Sequence, residues 1–331
     1  MKQTLILMSS IAQIKGRLGA ELEEMNAIIS ESLSTRNEMM NDVVTRYLRI
    51  KGKQIRPILV ILSAQMFGKV SREVLYAGAA LEMLHNASLI HDDIVDETSL
   101  RRGVPTVNAR MGNHIAVLVG DFFVSNSLAV GIRTGNIYVV SALSALGKEL
   151  SLGEIDQICN ARDHEYDEES YFAMIRQKTA SLFMHCVGMG ANLAGASRED
   201  TDKLTRYAEL LGLCFQIKDD IFDYYNNDEI GKPTGNDLRE GKVTLPLLYA
   251  LANGPAPERA GMKALVERGD LTEDEITGLI EFAKANGGIN YAFQCMRRMQ
   301  EEAEEIIKDF PDSDSKDSFR EIFNYIISRN R

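Results

Sequence analysis

Apolar side chains recur every three or four residues over most of the chain, and runs of strict alternation are scarce, so the pattern predicts helices. From Ser9 to Arg49 the positions Ile11, Ile14, Leu18, Leu22 and Met25 mark one stripe of an amphipathic helix. Gly52 to Pro57 interrupts it. The residue before a proline is disfavoured in a helix, which puts Lys53 and Arg56 at a helix entrance. A long central helix is expected from Ser71 to Glu97. Phe122 to Gly131 and Ile137 to Leu150 are apolar almost all round and read as buried helices. The acidic stretch Asp163 to Glu169 reads as a solvated loop or helix start, and Tyr171 to Ala194 as another buried helix. Lys232 to Gly235 cannot be regular helix and reads as a mobile loop, and Asn253 to Asp270, with Gly254, Pro255 and Pro257, as a surface connection. Thr272 and Glu275 form a capping-box pattern for a helix that ends near Asn286, before Gly287 and Gly288. A further helix is expected from Ile289 to Phe310, stopped by Pro311, and a last one from near Ser318. No boundary divides the chain, so the reading is one all-α domain over residues 1–331, with ten or more helices.

The central helix carries the first candidate chemistry. At helical spacing Leu81, Leu84, His85, Ser88, Asp92 and Asp96 share a stripe that runs from apolar to acidic. Carboxylates in the last turn face the negative end of the helix dipole and repel one another. A bound cation relieves both effects, and Mg²⁺ is held by a few carboxylates together with substrate phosphates. Asp92, Asp93 and Asp96 are therefore candidate metal ligands, with Arg101 and Arg102 close behind. One such cluster is often only a solvated acidic face. A second, Asp219, Asp220 and Asp223, again follows an apolar run and precedes a Gly/Pro/Thr loop with lysines, and two together favour a metal-phosphate site.

Composition narrows the classes. With 45% hydrophobic and 26% charged residues the 331-residue chain reads as an ordinary globular protein. A net charge of -11 argues against nucleic acid as a partner. Cys159, Cys186, Cys214 and Cys295 form no CxxC pair and read as reduced, buried thiols. The apolar run Leu5 to Met8 is too short for a signal sequence or a span, so a soluble, cytoplasmic protein without stable membrane insertion is expected.

Ordered blocks extend these observations over nearly the whole chain from Gly52. They are GKQIRP (Gly52–Pro57), HNASLIHDDIVDETSLRRG (His85–Gly103), GD (Gly120, Asp121), GEIDQ (Gly153–Gln157), KTASL (Lys178–Leu182), FQIKDDIFD (Phe215–Asp223) and GKPTGNDLREGKVTLP (Gly231–Pro246). In this order they resemble the trans-isoprenyl diphosphate synthases, the polyprenyl synthetase family. The family often has Gly-Gly-Lys where this chain has Lys51-Gly52-Lys53, but Lys53 and Arg56 keep their spacing. The resemblance implies a helical bundle of the isoprenoid synthase type around a deep apolar cavity, with N-terminal helices (1–50) used in packing or dimerisation, and a homodimer. It implies Mg²⁺-dependent joining of isopentenyl diphosphate to an allylic diphosphate, farnesyl or geranylgeranyl, with three Mg²⁺ ions per site and Mn²⁺ as a substitute. It further implies that Arg101, Lys178 and Lys232, helped by Lys218 and Lys242, grip the allylic diphosphate. By the same token Lys53, Arg56, His85 and Arg102 hold isopentenyl diphosphate, Lys178, Thr179 and Gln216 border the allylic cation, and the loop Asp228 to Leu238 and the terminal Arg329 to Arg331 close over the site. His91 reads as structural.

Product length follows from the apolar end of the stripe. At 1.5 Å rise per residue Ala87 and Ser88 lie roughly 6 to 8 Å below Asp92, and Leu84 about 12 Å below. Short-product members of the family carry bulky aromatics four or five residues before the first aspartate; small residues there leave the tunnel open, so Leu84 and Leu81, or apolar residues of Ile137 to Leu150, set its floor. The expectation is a product of about C30 to C50, with octaprenyl as the central value and a quinone side chain as its use. The competing readings are a geranylgeranyl or farnesyl diphosphate synthase, a class I terpene cyclase and a non-catalytic partner subunit of the same fold. DDIFD and GKQIRP speak against the cyclase, and the intact aspartates against the partner subunit.

Overall fold

The computed structural model describes residues 11–49, 52–101, 103–163, 166–225 and 234–329. Periodic apolar positions become helices throughout, and their inner faces join one continuous hydrophobic core that runs from Ile11 to Ile326. Its centre is α5 (Arg72–Val95), which packs against α7 (Asn113–Ile132), α4 (Ile55–Phe67), α2 (Gly19–Ser32) and α10 (Ser181–Leu193). Beyond α10 lie α11 (Arg198–Phe222) and then α16 (Gly288–Lys308), with α8 (Ile137–Asp163) closing the ring between α7 and α10. The described sheet is a two-residue hairpin, β1 (Leu100–Arg101) paired antiparallel with β2 (Val104–Pro105), just past the end of α5.

Several expected boundaries move for local reasons. Ser9 to Arg49 is not one helix: residues 11–17 (α1) lead through a turn at Leu18 into α2, and α3 (Glu38–Arg49) starts afresh. The break is fixed by short polar side chains that bond to nearby backbone. The Met40 amide donates to Asn37 Oδ1 at 3.0 Å, and the Thr35 amide to Asn41 Oδ1 at 3.0 Å. The segment Asn253 to Asp270 is not a connection but α14 (Ala256–Arg268), with Pro255 as its N-cap and Pro257 in its first turn, where a missing N–H costs nothing. The last helix, α17 (Asp314–Ser328), begins before Ser318, because the Ser313 hydroxyl accepts from the Lys316 amide at 3.2 Å. Other signals stand as read. The Thr272 and Glu275 side chains close a capping box at the start of α15 (Glu273–Ala285).

Tyr171 to Ala194 is three segments in one line: α9 (Glu168–Ile175), a π-helical turn Arg176–Ala180, and α10. A π-turn inserts a residue and re-aims the side chains on it, which is why such turns gather at functional sites. Here it carries Lys178 and Thr179.

The greatest departure concerns α7 and α8, which are not buried all round. Leu118 and Ile132 are each 63% exposed and Ile137 79%, with Val117, Leu128 and Tyr138 beside them. Among the described residues α7 is the helix long and apolar enough to cross a membrane, yet its inner side packs on α5 and its Ser127 hydroxyl donates to Ala80 O at 2.7 Å. Hydropathy alone does not distinguish an apolar face turned to the core from one turned outward.

Candidate active site

The first aspartate cluster ends α5 as its sequence stripe requires. Asp92 is half-buried, and burial, with Glu154 and Asp96 nearby, pushes its carboxyl up to about 6 although Lys178 and Arg101 pull the other way. Asp93 is turned inward at 3% exposure. It is paired there with Arg101, whose Nε and Nη2 both lie 2.8 Å from Oδ1. The Asp93 carbonyl accepts from the Thr98 amide at 2.9 Å and from Asn108 Nδ2 at 3.0 Å, which ties the hairpin to the helix end. Asp96 lies 3.6 Å from Lys242 Nζ. His91, on the side facing α7, approaches Gly120 so closely that a Cβ there would stand 2.1 Å from its Nε2. His91 Nε2 lies 3.3 Å from Val117 O and 3.6 Å from Asp121 Oδ1, so the GD pair serves to seat this helix.

The second cluster ends α11. Burial raises the Asp219 carboxyl, and Arg329 Nη2 donates to its Oδ1 at 2.6 Å. Asp220 is buried between the Tyr171 hydroxyl, which donates to Oδ2 at 2.6 Å, and Gln216 Nε2, which donates to Oδ1 at 2.8 Å. Burial brings it to about 7, with Asp219 and Asp223 adding to the rise. Gln216 in turn accepts from the Thr179 hydroxyl at 2.7 Å, so Thr179, Gln216, Asp220 and Tyr171 form one chain of hydrogen bonds. Asp223 is occupied otherwise: its two oxygens accept from the Asn236 and Asp237 amides at 2.9 and 3.0 Å, capping the short helix α12 (Asn236–Arg239).

That cap holds an acid the sequence reading did not single out. Asp237 borders the cavity that also contains Asp220, Thr179, Gln216, Lys178 and Lys242, and burial with Asp220 and Asp223 beside it raises its carboxyl well above the usual range. It stands inside the block GNDLREGK, but only the fold shows that Asp223 is spent on its backbone.

The basic residues divide into three groups. Lys178 pairs with Glu154 of α8 and donates to Gln157 Oε1 at 3.1 Å, so the anion its burial required is supplied from GEIDQ. Lys242 lies 2.5 Å from Glu240 and close to Asp96, bridging towards the first cluster from the second. Lys53, Arg56 and His85 line one cavity of about 520 Å³ with Phe183, Phe215 and Arg329. Arg56 enters on the first turn of α4, after Gln54 at φ 55°, and its guanidinium lies 5.6 Å from the Phe183 ring. Lys218 lies 5.2 and 4.8 Å from the Phe222 and Phe293 rings, and burial, with Arg329 nearby, lowers it to about 8. Lys232, Arg102, and residues 228–233 and 330–331 of the expected closing segments lie outside the described residues. Arg329, by contrast, is 7% exposed, lies over the Phe215 ring at 4.3 Å and joins Asp219 to the large cavity. Leu81, Leu84 and Ala87 are buried, and the Ser88 hydroxyl bonds back to His85 O at 2.9 Å. By helical spacing Ala87 falls with Ala80 and His91 on the side of α7, leaving Ser88 below Asp92.

The donor set suits a hard divalent ion. Asp92, Asp96, Asp219 and Asp220 offer oxygen ligands, and the raised Asp92, Asp219 and Asp220 show carboxylates whose charge the protein leaves partly uncompensated. Among the described residues no three His, Cys, Asp or Glu side chains stand together closely enough to hold a metal ion by themselves.

The family model described as polyprenyl synthetase matches residues 37–283. The octaprenyl diphosphate synthase of Escherichia coli is 32% identical over 97% of this chain and 100% of its own. Among solved structures, a decaprenyl diphosphate synthase from Rhodobacter capsulatus superposes with a TM-score of 0.91 at 30% identity, covering 97% of this chain and 99% of that one. A geranylgeranyl pyrophosphate synthase from Bacteroides thetaiotaomicron gives 0.84 at 38% identity, covering 97% and 100%. This chain belongs to the polyprenyl synthetase family and is a prenyltransferase, with the helical fold of the isoprenoid synthases.

Proposed function

We propose that this member of the polyprenyl synthetase family is a Mg²⁺-dependent trans-polyprenyl diphosphate synthase with a long-chain product. The observation that carries the reading is the joining of two carboxylate clusters, through Lys178 and Lys242, at one mouth beside a separate cationic cavity. Bound at Asp92, Asp96 and Asp219, with Asp220 beside them and with Asp93 and Asp223 acting from behind through Arg101 and the α12 backbone, Mg²⁺ would neutralise the charge that develops on the leaving diphosphate. Lys178 and Lys242 face the allylic diphosphate, and Lys53, Arg56 and His85 hold isopentenyl diphosphate, with Arg329 at the join. Thr179 Oγ1 and Gln216 Oε1 place oxygen density beside the allylic carbon. The five-carbon double bond attacks that carbon and the released diphosphate takes the proton, so no protein base is needed. Asp92→Ala should remove incorporation of isopentenyl diphosphate while leaving the melting temperature unchanged; retained turnover would refute the assignment.

Small Ala87 and Ser88 and the octaprenyl and decaprenyl relatives favour C30 to C50, with C40 as the central value. The 38% identity to a geranylgeranyl synthase favours a second reading, a C20 product, and product sizing separates the two. The reading includes a cytoplasmic homodimer whose interface is the apolar face Leu118, Leu128, Ile132 and Ile137. A 37 kDa species under native conditions would refute the dimer.

A further inference from the structure

A third cavity opens on the far side of the first cluster, where the reaction as read has no use for it. Its walls are Val43 of α3, Leu89 of α5, Val104 of β2 and, on α6 (Val107–Met111), Val107 and Met111. Its floor is the Asp93–Arg101 ion pair, and Arg46 and Arg110 stand at its rim. The cavity is mainly apolar in its walls and cationic at its edge. Arg101 is neutralised by Asp93 and Arg46 by Asp42 at 2.7 Å, but Arg110 is exposed and meets no carboxylate among the described residues. One net positive charge therefore faces an apolar hole, which complements a short hydrocarbon with an anionic head.

Size selects within that class. The space is about 80 Å³. At roughly 10 to 15 Å³ of such space per water, this is room for about five to eight waters, enough for one branched five-carbon body and not for a polyprenyl chain. Tyr47, Asn86 and Leu89 are shared with the cavity of Lys53, Arg56 and His85, so the two spaces lie back to back.

We propose that this cavity is a regulatory site for a five-carbon isoprenoid phosphate, its hydrocarbon between Val43, Leu89 and Val107 and its phosphate on Arg110 and Arg46. An occupant packs on the Asp93–Arg101 pair and holds Arg101 on Asp93. Arg101 is then kept from the allylic diphosphate, and elongation slows when the five-carbon substrate is in excess. The choice of ligand rests on the prenyl synthase reading; the cavity and its charge do not.

The chain has no Trp, so Val104→Trp places a single reporter at the rim. The full-length V104W protein is titrated with dimethylallyl monophosphate in EDTA, and calorimetry on the unsubstituted protein repeats the measurement without a reporter. The expected result is saturable binding in both, weakened at least tenfold by Arg110→Glu and changed less than twofold by Arg56→Ala in the neighbouring cavity. Absence of saturable binding, or loss with Arg56→Ala and not with Arg110→Glu, would overturn the proposal. In turnover with farnesyl diphosphate and Mg²⁺, Arg110→Glu should abolish the fall in rate at high isopentenyl diphosphate and leave the initial slope unchanged; a fall that persists contradicts regulation through this cavity. A protein that binds the phosphate at Arg110 but never incorporates isopentenyl diphosphate would sink the enzymatic reading and leave the site standing.

Discussion

Single side chains at the mouth are held by a few strong bonds, and their loss has distinguishable effects. Tyr171→Phe deletes the hydroxyl that donates to buried Asp220. A hydrogen bond to a charged group contributes about 1.5 to 3 kcal/mol, so kcat should fall roughly tenfold to a hundredfold, with the half-saturating Mg²⁺ concentration rising and the fold intact. Equal loss with unchanged metal dependence would show that Tyr171 merely packs. A cleaner pH prediction lies outside the site. Hydrogen bonds from Arg268 and Thr272 hold half-buried Glu275 down at about 2. A depressed carboxyl contributes stability above its unfolded pKa and loses it as pH falls through the folded one. The melting difference between the native protein and Glu275→Gln should therefore be full at pH 6 and shrink between about pH 4.5 and 2. The aspartate spacing, Lys178, His85 and Arg56 were legible in the chain because each stands in an ordered block. Asp237 was not singled out, because its place depends on Asp223 capping a turn thirteen to fourteen residues away.

At the scale of elements, three local devices position the chemistry. The π-turn Arg176–Ala180 aims Lys178 and Thr179, and no sequence period announces a one-residue insertion inside an otherwise regular helix. The close approach of α5 and α7 depends on Gly120. Gly120→Ala should drive His91 from its place and cost about 1 to 3 kcal/mol, read as a lower denaturation midpoint. His91→Ala in the same chain should restore most of the loss, and a double variant no more stable than G120A would reject this packing. The Asp223 cap on α12 has its own readout. Asp223→Ala removes two bonds to backbone, worth about 1 to 2 kcal/mol, so the Asn236 and Asp237 amides should exchange hydrogen at least fivefold faster. Unchanged exchange would mean that other contacts hold the turn. The capping box at Thr272 was readable because its partners are three residues apart; the start of α3 was not, because Asn37 and Asn41 act only once the turn has formed.

For the whole molecule, the helical class and the order of the long helices followed from periodicity, and the sidedness of α7 and α8 did not. Their outward face carries Leu118, Leu128, Ile132 and Ile137 among its polar residues, so periodicity did not separate it from the inward one. Leu118→Asp with Ile132→Asp should convert a dimer into monomers in sedimentation, and an unchanged dimer would place the interface elsewhere. The central claim is that the two carboxylate ends of α5 and α11 elongate an allylic diphosphate to a long chain. The most direct test is to incubate the purified protein with labelled isopentenyl diphosphate and farnesyl diphosphate, with Mg²⁺ or with EDTA, and to size the products. Polyprenyl diphosphates of thirty or more carbons are expected with Mg²⁺ and none with EDTA. Products stopping at twenty carbons would contradict the open path past Ser88, and no incorporation at all would contradict the function.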